Sequence, residues 1–540
     1  MIAIILAFVL SLAFALVGVP LLAKLARKVG LVDHPDDKRK LHTTAIPMVG
    51  GIAVFLCVTL VAPLVIFLGI RFQPMFGELA NDWFGWLPFG LSQRKIYFHP
   101  DDYTELAGLF IGSAILVVVG ILDDRFGIRG RQKLLGQIFA TSALIVFGYH
   151  FESVQVFGVT VNFDVFSILF VYAWVIAAIN SVNLLDGADG IAATIGIVMS
   201  LALAAMAIYR GQVINAIISI AIAGSLLGFL KFNFPPAKVY LGDTGSMLIG
   251  FVLSALAIRC TFKENSTYAF FAPVALLAIP FIDTAAAIVR RRLTGRSIFA
   301  VDRGHLHHAL MKRGYSPKIS LLWVALLSST TAAGAVLSYY YHQSEYALVS
   351  IVIVIIVMFA CKIFGVAELR LITRKANSVA KTFFDLTTNS PAEIHQASVH
   401  VQGNRDWEET WMQLCNFADR HGLVEITLDL NAPWIHESYH ATRKRTDLPR
   451  GGNHEWYSQI PLIADGRLFG RVEMIGSGQD EFSHREIINN ALRTTSLIEG
   501  SLASLVYQVA QPEAATAEFE SEPKAETEKS GETASTSSPS

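Results

Sequence analysis

Apolar residues form long, nearly unbroken runs over the first two-thirds of the chain and short alternating runs after it. A helix that crosses a bilayer needs about 20 mostly apolar residues. Eleven stretches meet that pattern, at roughly 1–23, 46–70, 105–122, 134–150, 163–181, 190–209, 213–230, 244–262, 268–289, 319–340 and 346–364. Several contain Gly or Pro, which membrane helices tolerate because neighbouring groups re-satisfy the backbone. The predicted fold class is an α-helical polytopic membrane protein of about eleven transmembrane helices with a C-terminal soluble α+β domain. The run from Ile2 to Val19 lacks a basic leader and a small-residue cleavage site. It reads as a retained first helix, not a signal peptide.

The basic residues divide the connections into two sets. One set holds Lys24, Arg27, Lys28, Lys38, Arg39 and Lys40, then Arg125, Arg129, Arg131 and Lys133, then Lys231 and Lys238, then a long loop from Arg290 to Lys318. The alternate set holds only Arg71, Arg94, Lys95, Arg210, Arg259 and Lys263. Positive charge stays inside, so the first set is expected to be cytoplasmic and the part after 365 with it. An odd number of spans fits that alternation.

The pattern changes after Gly365. Residues 366–391 read as a connecting helix, 392–509 as the α+β domain and 510–540 as a disordered tail rich in Glu, Ser, Thr, Ala and Pro. Strands are expected at Leu423 to Leu430, Tyr457 to Ile463 and Leu468 to Ile475, with Asp465-Gly466 as a hairpin turn. A last helix is expected from His484 to Val509. This order resembles a GAF-type sensor or partner-binding domain. Trp407, Trp411, Trp434 and Trp456 read as core, with Trp407 and Trp411 on one helix face.

Composition agrees with the membrane reading. Of 540 residues, 53% are hydrophobic and 16% charged, against about 45–50% and 25% in soluble domains. The formal net charge of −1 gives no bulk attraction to nucleic acid. Cys57, Cys260, Cys361 and Cys415 are scattered and form no C-x-x-C pair, which argues against a disulfide framework or a zinc site.

The polar motifs all fall on the basic side, at or near span ends, where ionisable groups are costly and usually functional. Asp33-His34-Pro35, Arg39-Lys40-Leu41-His42, Pro47 and Gly50-Gly51 fill the first basic loop. They serve either as a juxtamembrane stop signal or as a hold on an anionic substrate. Asp123-Asp124 end an apolar helix, with Lys133 following. Two adjacent carboxylates repel unless a cation relieves them, and Mg²⁺ held by carboxylates and substrate phosphates would do so. Asn180-Ser181-Val182-Asn183 leads into Asp186-Gly187-Ala188-Asp189-Gly190, more carboxylates and amides than a turn needs. Asn233-Phe234-Pro235-Pro236 precedes Gly242-Asp243-Thr244. Asp243 either caps the helix it opens or ligates Mg²⁺. Arg290-Arg291-Arg292 lead to His305-Leu306-His307-His308. The arginines suit a diphosphate, and the abundance of carboxylates suits Mg²⁺ over zinc. Hard oxygen ligands, a lysine, arginines and histidines on one face are the equipment of cation-assisted phosphoryl transfer. No P-loop or dinucleotide fingerprint is present.

These five motifs, in this order over about residues 1–365, resemble the polyprenyl-phosphate N-acetylhexosamine-1-phosphate transferases. The resemblance implies that a polyprenyl phosphate, expected to be undecaprenyl phosphate, attacks the β-phosphorus of a UDP-N-acetylhexosamine and UMP leaves. It implies that Asp123, Asp124, Asp186 and Asp189 are catalytic, one of them as base or as covalent nucleophile. It implies Asp124, Asp186 and Asp243 as ligands of Mg²⁺, with Mn²⁺ as the substitute. Lys133, Asn183, Asn233, Arg291, His305, His307 and His308 would bind substrate. The implied location is the bacterial plasma membrane, multi-pass in the lipid bilayer, with the active site and C-terminal domain cytoplasmic. A homodimer and an unidentified ligand or partner of the C-terminal domain complete the expected partners. The short histidine run resembles the branch that uses UDP-GlcNAc more than the branch that uses the muramoyl-pentapeptide donor. Ala309 and Met48 depart from that branch, which often has arginine at both places. The competing class is a lipid-linked sugar transporter, but transporters place polar groups near the midplane and often carry repeats, whereas these motifs sit at one face.

Overall fold

The computed structural model describes residues 1–33, 45–72, 75, 100–151, 153–157, 159–163, 165–262, 266–293, 304–361, 394–402, 407–432, 437–445, 455–464, 467–477, 486–493 and 495. The chain divides into two compact units, residues 1–384 and 385–540.

In the first unit every one of the eleven apolar stretches forms helix. In chain order these are α1 (Ile2–Val29), α2 (Gly50–Arg71), α3 (Pro100–Phe126), α4 (Gly130–Val146), α5 (Phe166–Leu185), α6 (Ile191–Arg210), α7 (Val213–Asn233) and α8 (Gly242–Ala257). A π-helical turn over Ile258–Phe262 continues α8. Then come α9 (Thr267–Leu276), α10 (Ala278–Leu293), the short α11 (Leu306–Lys312), α12 (Pro317–Tyr341) and α13 (Glu345–Ala360). Among the described residues, eight helices are long and apolar enough to cross a membrane, and α9 with α10 makes a ninth if taken as one bent span. The remaining two, α4 and α13, have 17 and 16 residues.

Local chemistry sets the breaks. Gly30 ends α1 in the left-handed region at φ 78°, its N–H donating to the Ala26 carbonyl. The bend between α9 and α10 is 69°. Pro280 explains it: in a continuous helix its ring would strike the carbonyl of Leu276. In the first turn of α10 its missing N–H costs nothing.

The centre of this unit is α8. All its residues from Thr244 to Ala257 are buried, whereas only a third of the apolar window of α1 is. Such enclosure needs close helix crossings. A Cβ on Gly51 of α2 would lie 2.2 Å from the Gly245 nitrogen, and one on Gly120 of α3 would lie 2.3 Å from the Thr244 Cα. Small residues therefore let two backbones meet α8 directly.

Short strands fix the ends. β1 (Val32–Asp33) pairs antiparallel with β2 (Ile46–Pro47), and Met48 bridges to Tyr240. The Gly50 and Gly51 nitrogens donate to the carbonyls of Tyr240 and Leu241 at 3.0 Å. This ties the start of α2 to the approach to α8. A hairpin of β3 (Ser153–Val156) and β4 (Val159–Asn162) joins α4 to α5. The predicted substrate loop from His34 to His42 lies outside the described residues.

The second unit holds a five-stranded antiparallel sheet of β5 (Ile394–Gln402), β6 (Glu425–Ala432), β7 (Glu437–Arg445), β8 (Glu455–Ala464) and β9 (Arg467–Ser477), in the order β5-β7-β6-β9-β8. One helix, α14 (Glu408–Arg420), precedes β6. Trp407, Trp411, Leu414, Ile426, Leu428, Phe469 and Val472 share its core, with Trp456 packed against it. The three predicted strands are present, while β5 and β7 were not expected. Arg443 of β7 faces inward, donating to the Cys415 carbonyl at 2.7 Å and pairing with Asp419. An inward arginine hides the apolar alternation that marks a strand. The connecting helix, Trp434, the Asp465-Gly466 turn, most of the last helix and the tail lie outside the described residues.

Candidate active site

The aspartates gather where α3 ends and α8 begins. Gly242, at φ 74°, turns the chain into α8, and a Cβ there would lie 2.6 Å from an Asp124 oxygen. Asp124 fills that space. Its Oδ1 accepts from the Asp243 nitrogen at 2.8 Å; its Oδ2 accepts from the Thr244 nitrogen at 3.2 Å and hydroxyl at 2.7 Å. A carboxylate from another helix thus caps α8, favourably placed at the positive end of its dipole. Of the two roles open to Asp243, capping is already taken. The Asp243 carboxylate instead accepts from Lys133 Nζ at 2.7 Å and from Asn183 Nδ2 at 2.5 Å. Asn183 also donates to Ser246 Oγ at 2.9 Å. Lys133 pairs with buried Asp123 as well, so one ammonium bridges two carboxylates.

A second turn joins α5 to α6. Gly190 opens α6 at φ 77°. The buried Asn233 side chain accepts from the Gly190 nitrogen and donates to the Val239 carbonyl, both at 2.9 Å. Asp189 accepts from the Ala237 nitrogen at 2.9 Å. The two motifs therefore brace each other. Between them stands Asp186, with no hydrogen bond to its side chain among the described residues. Burial, and then the charges of Asp243, Asp124 and Asp189, push its carboxyl well above the usual carboxylate range. Tyr240 closes this side, its phenol pushed up to about 12 by burial and by the charges of Asp189 and Asp33. One turn further into the bundle, Asn180 Nδ2 donates to Gln137 Oε1 at 2.8 Å and the Gln137 amide returns a bond at 3.3 Å.

The histidines reach the same turn. A Cβ on Gly187 would lie 3.0 Å from the His307 ring, so the absent side chain lets the imidazole approach. His307 is 1% exposed and neither ring nitrogen has a hydrogen-bond partner among the described residues. Burial, then His308 and His305, hold its pKa well below the usual histidine value. Its ring lies 4.2 Å from that of His308 and parallel to that of His305 at 6.2 Å. Arg290 and Arg291 are buried at the end of α10, with the Arg290 guanidinium against Gly304.

The structure therefore brings together Asp123, Asp124, Asp186, Asp189, Asp243, Lys133 and Asn183, with His307 against Gly187. Asn233, expected to bind substrate, has its amide engaged with backbone on both sides. Asp283 was not foreseen. It sits alone in the apolar run of α10, and a lone carboxylate within a predicted span was the available signal. The donor chemistry suits a hard divalent cation: Asp186 lacks a hydrogen-bonded partner and faces three further carboxylates. Among the described residues no three carboxylate, imidazole or thiol groups could enclose a metal by themselves. A cation here would complete its shell with substrate oxygens and water, as Mg²⁺ commonly does.

This helical membrane fold with an acidic, lysine-bridged cluster at one end matches a known class. Residues 106–261 match the model of glycosyl transferase family 4. The chain is 31% identical over 329 residues to a probable undecaprenyl-phosphate N-acetylglucosaminyl 1-phosphate transferase of Bacillus subtilis, covering 61% of this chain and 82% of that one. It is 32% identical over 331 residues to a decaprenyl-phosphate N-acetylglucosaminephosphotransferase of Mycobacterium tuberculosis, covering 56% and 76%. It is 31% identical over 317 residues to the undecaprenyl-phosphate α-N-acetylglucosaminyl 1-phosphate transferase of Escherichia coli K12, covering 57% and 76%. The chain belongs to the polyprenyl-phosphate sugar-1-phosphate transferases of glycosyl transferase family 4.

Proposed function

We propose that the chain transfers N-acetylglucosamine 1-phosphate from UDP-GlcNAc to undecaprenyl phosphate, releasing UMP and starting a lipid-linked cell-envelope polysaccharide. The observation that carries this reading is the convergence of Asp123, Asp124, Asp186, Asp189 and Asp243 with Lys133 at the ends of membrane helices. The acceptor and the sugar are those for which the relatives are named. A phosphate oxygen of the lipid attacks the β-phosphorus, and the bond from that phosphorus to the oxygen of UMP breaks. Atoms balance without an oxidant or a second nucleotide. Such transfers depend mainly on positioning and charge neutralisation. Asp186 and Asp243 would hold Mg²⁺, which when bound neutralises phosphate charge. Lys133 moves between Asp243 and an incoming phosphate. Asn183 keeps Asp243 oriented, Asp124 fixes the start of α8, and His307 and Arg291 face the donor's diphosphate. All eleven apolar stretches cross the bilayer in this reading, α9 and α10 together as one. The acidic end faces the cytoplasm, where UDP-sugars are found.

The test is purified full chain with undecaprenyl phosphate, UDP-GlcNAc and Mg²⁺, read as UMP release and lipid-linked product. Both are expected, both stop on EDTA, and added Mg²⁺ or Mn²⁺ restores them. No UMP from UDP-GlcNAc, UDP-GalNAc or the muramoyl-pentapeptide donor would overturn the reading in favour of a transporter.

A further inference from the structure

Asp283 carries a fully buried carboxylate in α10, one turn after Pro280. A charge so placed is costly unless both oxygens are engaged. They are. Oδ2 meets His305 Nδ1 at 2.7 Å, and Oδ1 accepts from the Leu306 nitrogen at 2.8 Å. One side chain from the bent helix therefore grips two consecutive residues of the histidine segment. The grip determines chemistry as well as place. An ionised carboxylate only accepts, so Nδ1 carries the proton. Nε2 is then the nitrogen left for another partner, and no hydrogen bond to it forms among the described residues. Orientation of one ring nitrogen by a carboxylate on the other is how proteins fix an imidazole's tautomer and direction. The His305 ring is parallel to that of His307, and His307 lies against Gly187 beside Asp186. A fixed His305 thus fixes the stack that reaches the acidic turn.

We infer that Asp283 is a positioning residue for donor binding: it acts through His305, holding the proton on Nδ1 and keeping Nε2 for the sugar nucleotide. This rests on the transferase reading above. It differs from a simple staple between α10 and the histidine segment, because a staple would matter whatever residue stood at 305.

A double-mutant cycle separates the two. The variants are Asp283→Asn, His305→Gln and the pair, each assayed with UDP-GlcNAc and undecaprenyl phosphate. Each single change is expected to lower kcat/KM for UDP-GlcNAc about 10–100-fold, chiefly through KM for the nucleotide, with KM for the lipid unchanged. The double variant should be no worse than His305→Gln alone. Losses that multiply, wild-type kinetics in Asp283→Asn, or equal changes in both KM values would overturn the inference. If Asp283→Asn does not accumulate, the double variant offers two amides that can satisfy each other. Its turnover against His305→Gln alone is then decisive: equality supports the inference and a further tenfold loss sinks it. A wild-type chain that releases no UMP sinks the transferase reading and this inference together. Active wild type with multiplying losses sinks this inference alone.

Discussion

Asp124→Asn tests the unexpected role of a carboxylate that caps a helix other than its own. In the native chain it accepts three hydrogen bonds from the first turn of α8. An asparagine keeps one carbonyl oxygen, which can still serve the Asp243 nitrogen. The Thr244 hydroxyl can turn and accept from the new amide. The Thr244 nitrogen cannot, and Thr244 is 1% exposed. One buried N–H left without a partner costs about 1–3 kcal/mol. Removing a negative charge from the helix N-terminus costs a further 0.3–1 kcal/mol or so. The sum is roughly 1–4 kcal/mol. At about 2 °C per kcal/mol, the low end for a unit this large, the thermal midpoint should fall roughly 2–8 °C. Turnover should fall by about 100-fold or more, because Asp243 moves with α8 and a misplacement near 1 Å costs that much. Asp123→Asn is the comparator. Its side chain pairs with Lys133 and caps no backbone group of α8, so its midpoint should stay close to wild type. The assay is thermal unfolding in detergent alongside UMP release. Equal midpoints for the two variants, or a wild-type midpoint in Asp124→Asn, would refute the cap.

Three other outcomes are expected. Because His307 takes up a proton less readily when folded, the unfolded chain binds more protons below about pH 6.5, so stability is retained above that pH and falls as pH drops, by up to about 1.4 kcal/mol per unit. His307→Gln should flatten that slope between pH 6.5 and 5 in denaturation curves. Gly187→Ala places a methyl 3.0 Å from the His307 ring, and should slow UMP release about tenfold at an unchanged thermal midpoint; a change below twofold would remove the argued contact between turn and histidines. Gly120→Ala drives a Cβ to 2.3 Å from the Thr244 backbone, and should cost about 1–3 kcal/mol or more, seen as lower yield and midpoint; wild-type yield and midpoint would rule out that crossing.

The helices were legible because their apolar runs are long; the bend before Pro280 was not, because 268–289 reads as one apolar run. Three strands of the second unit were legible; several of the others were missed for local reasons. Both β1 and β2 have two residues, too few to show a period. The described residues of β4 are all exposed, so no buried face imposes alternation there. In β7 the inward Arg443 reads as polar. The acidic motifs stood out because carboxylates at a membrane edge are conspicuous. Their division of labour did not. Asp124 caps a turn 119 and 120 residues further on, and Lys133 meets Asp243 across 110 residues. Local sequence carries no trace of such pairings. Asn233 was singled out by resemblance alone, and its hydrogen bonds to Gly190 and Val239 link residues 43 and 6 positions away. Asp283 lay within a stretch read only for its length and apolarity.

The enclosure of α8 from Thr244 to Ala257 sets the helix that carries Asp243 apart from the outer helices. Outer helices such as α1 present much of their surface to acyl chains and must tilt or shift when bilayer thickness changes. From Thr244 onward, the helix that bears Asp243 has no such surface. A thinner or thicker membrane reaches it only through the neighbours that clasp it, at crossings too tight to slide. The spacing of the carboxylates at the start of α8 is in this way decoupled from the lipid composition of the surrounding membrane.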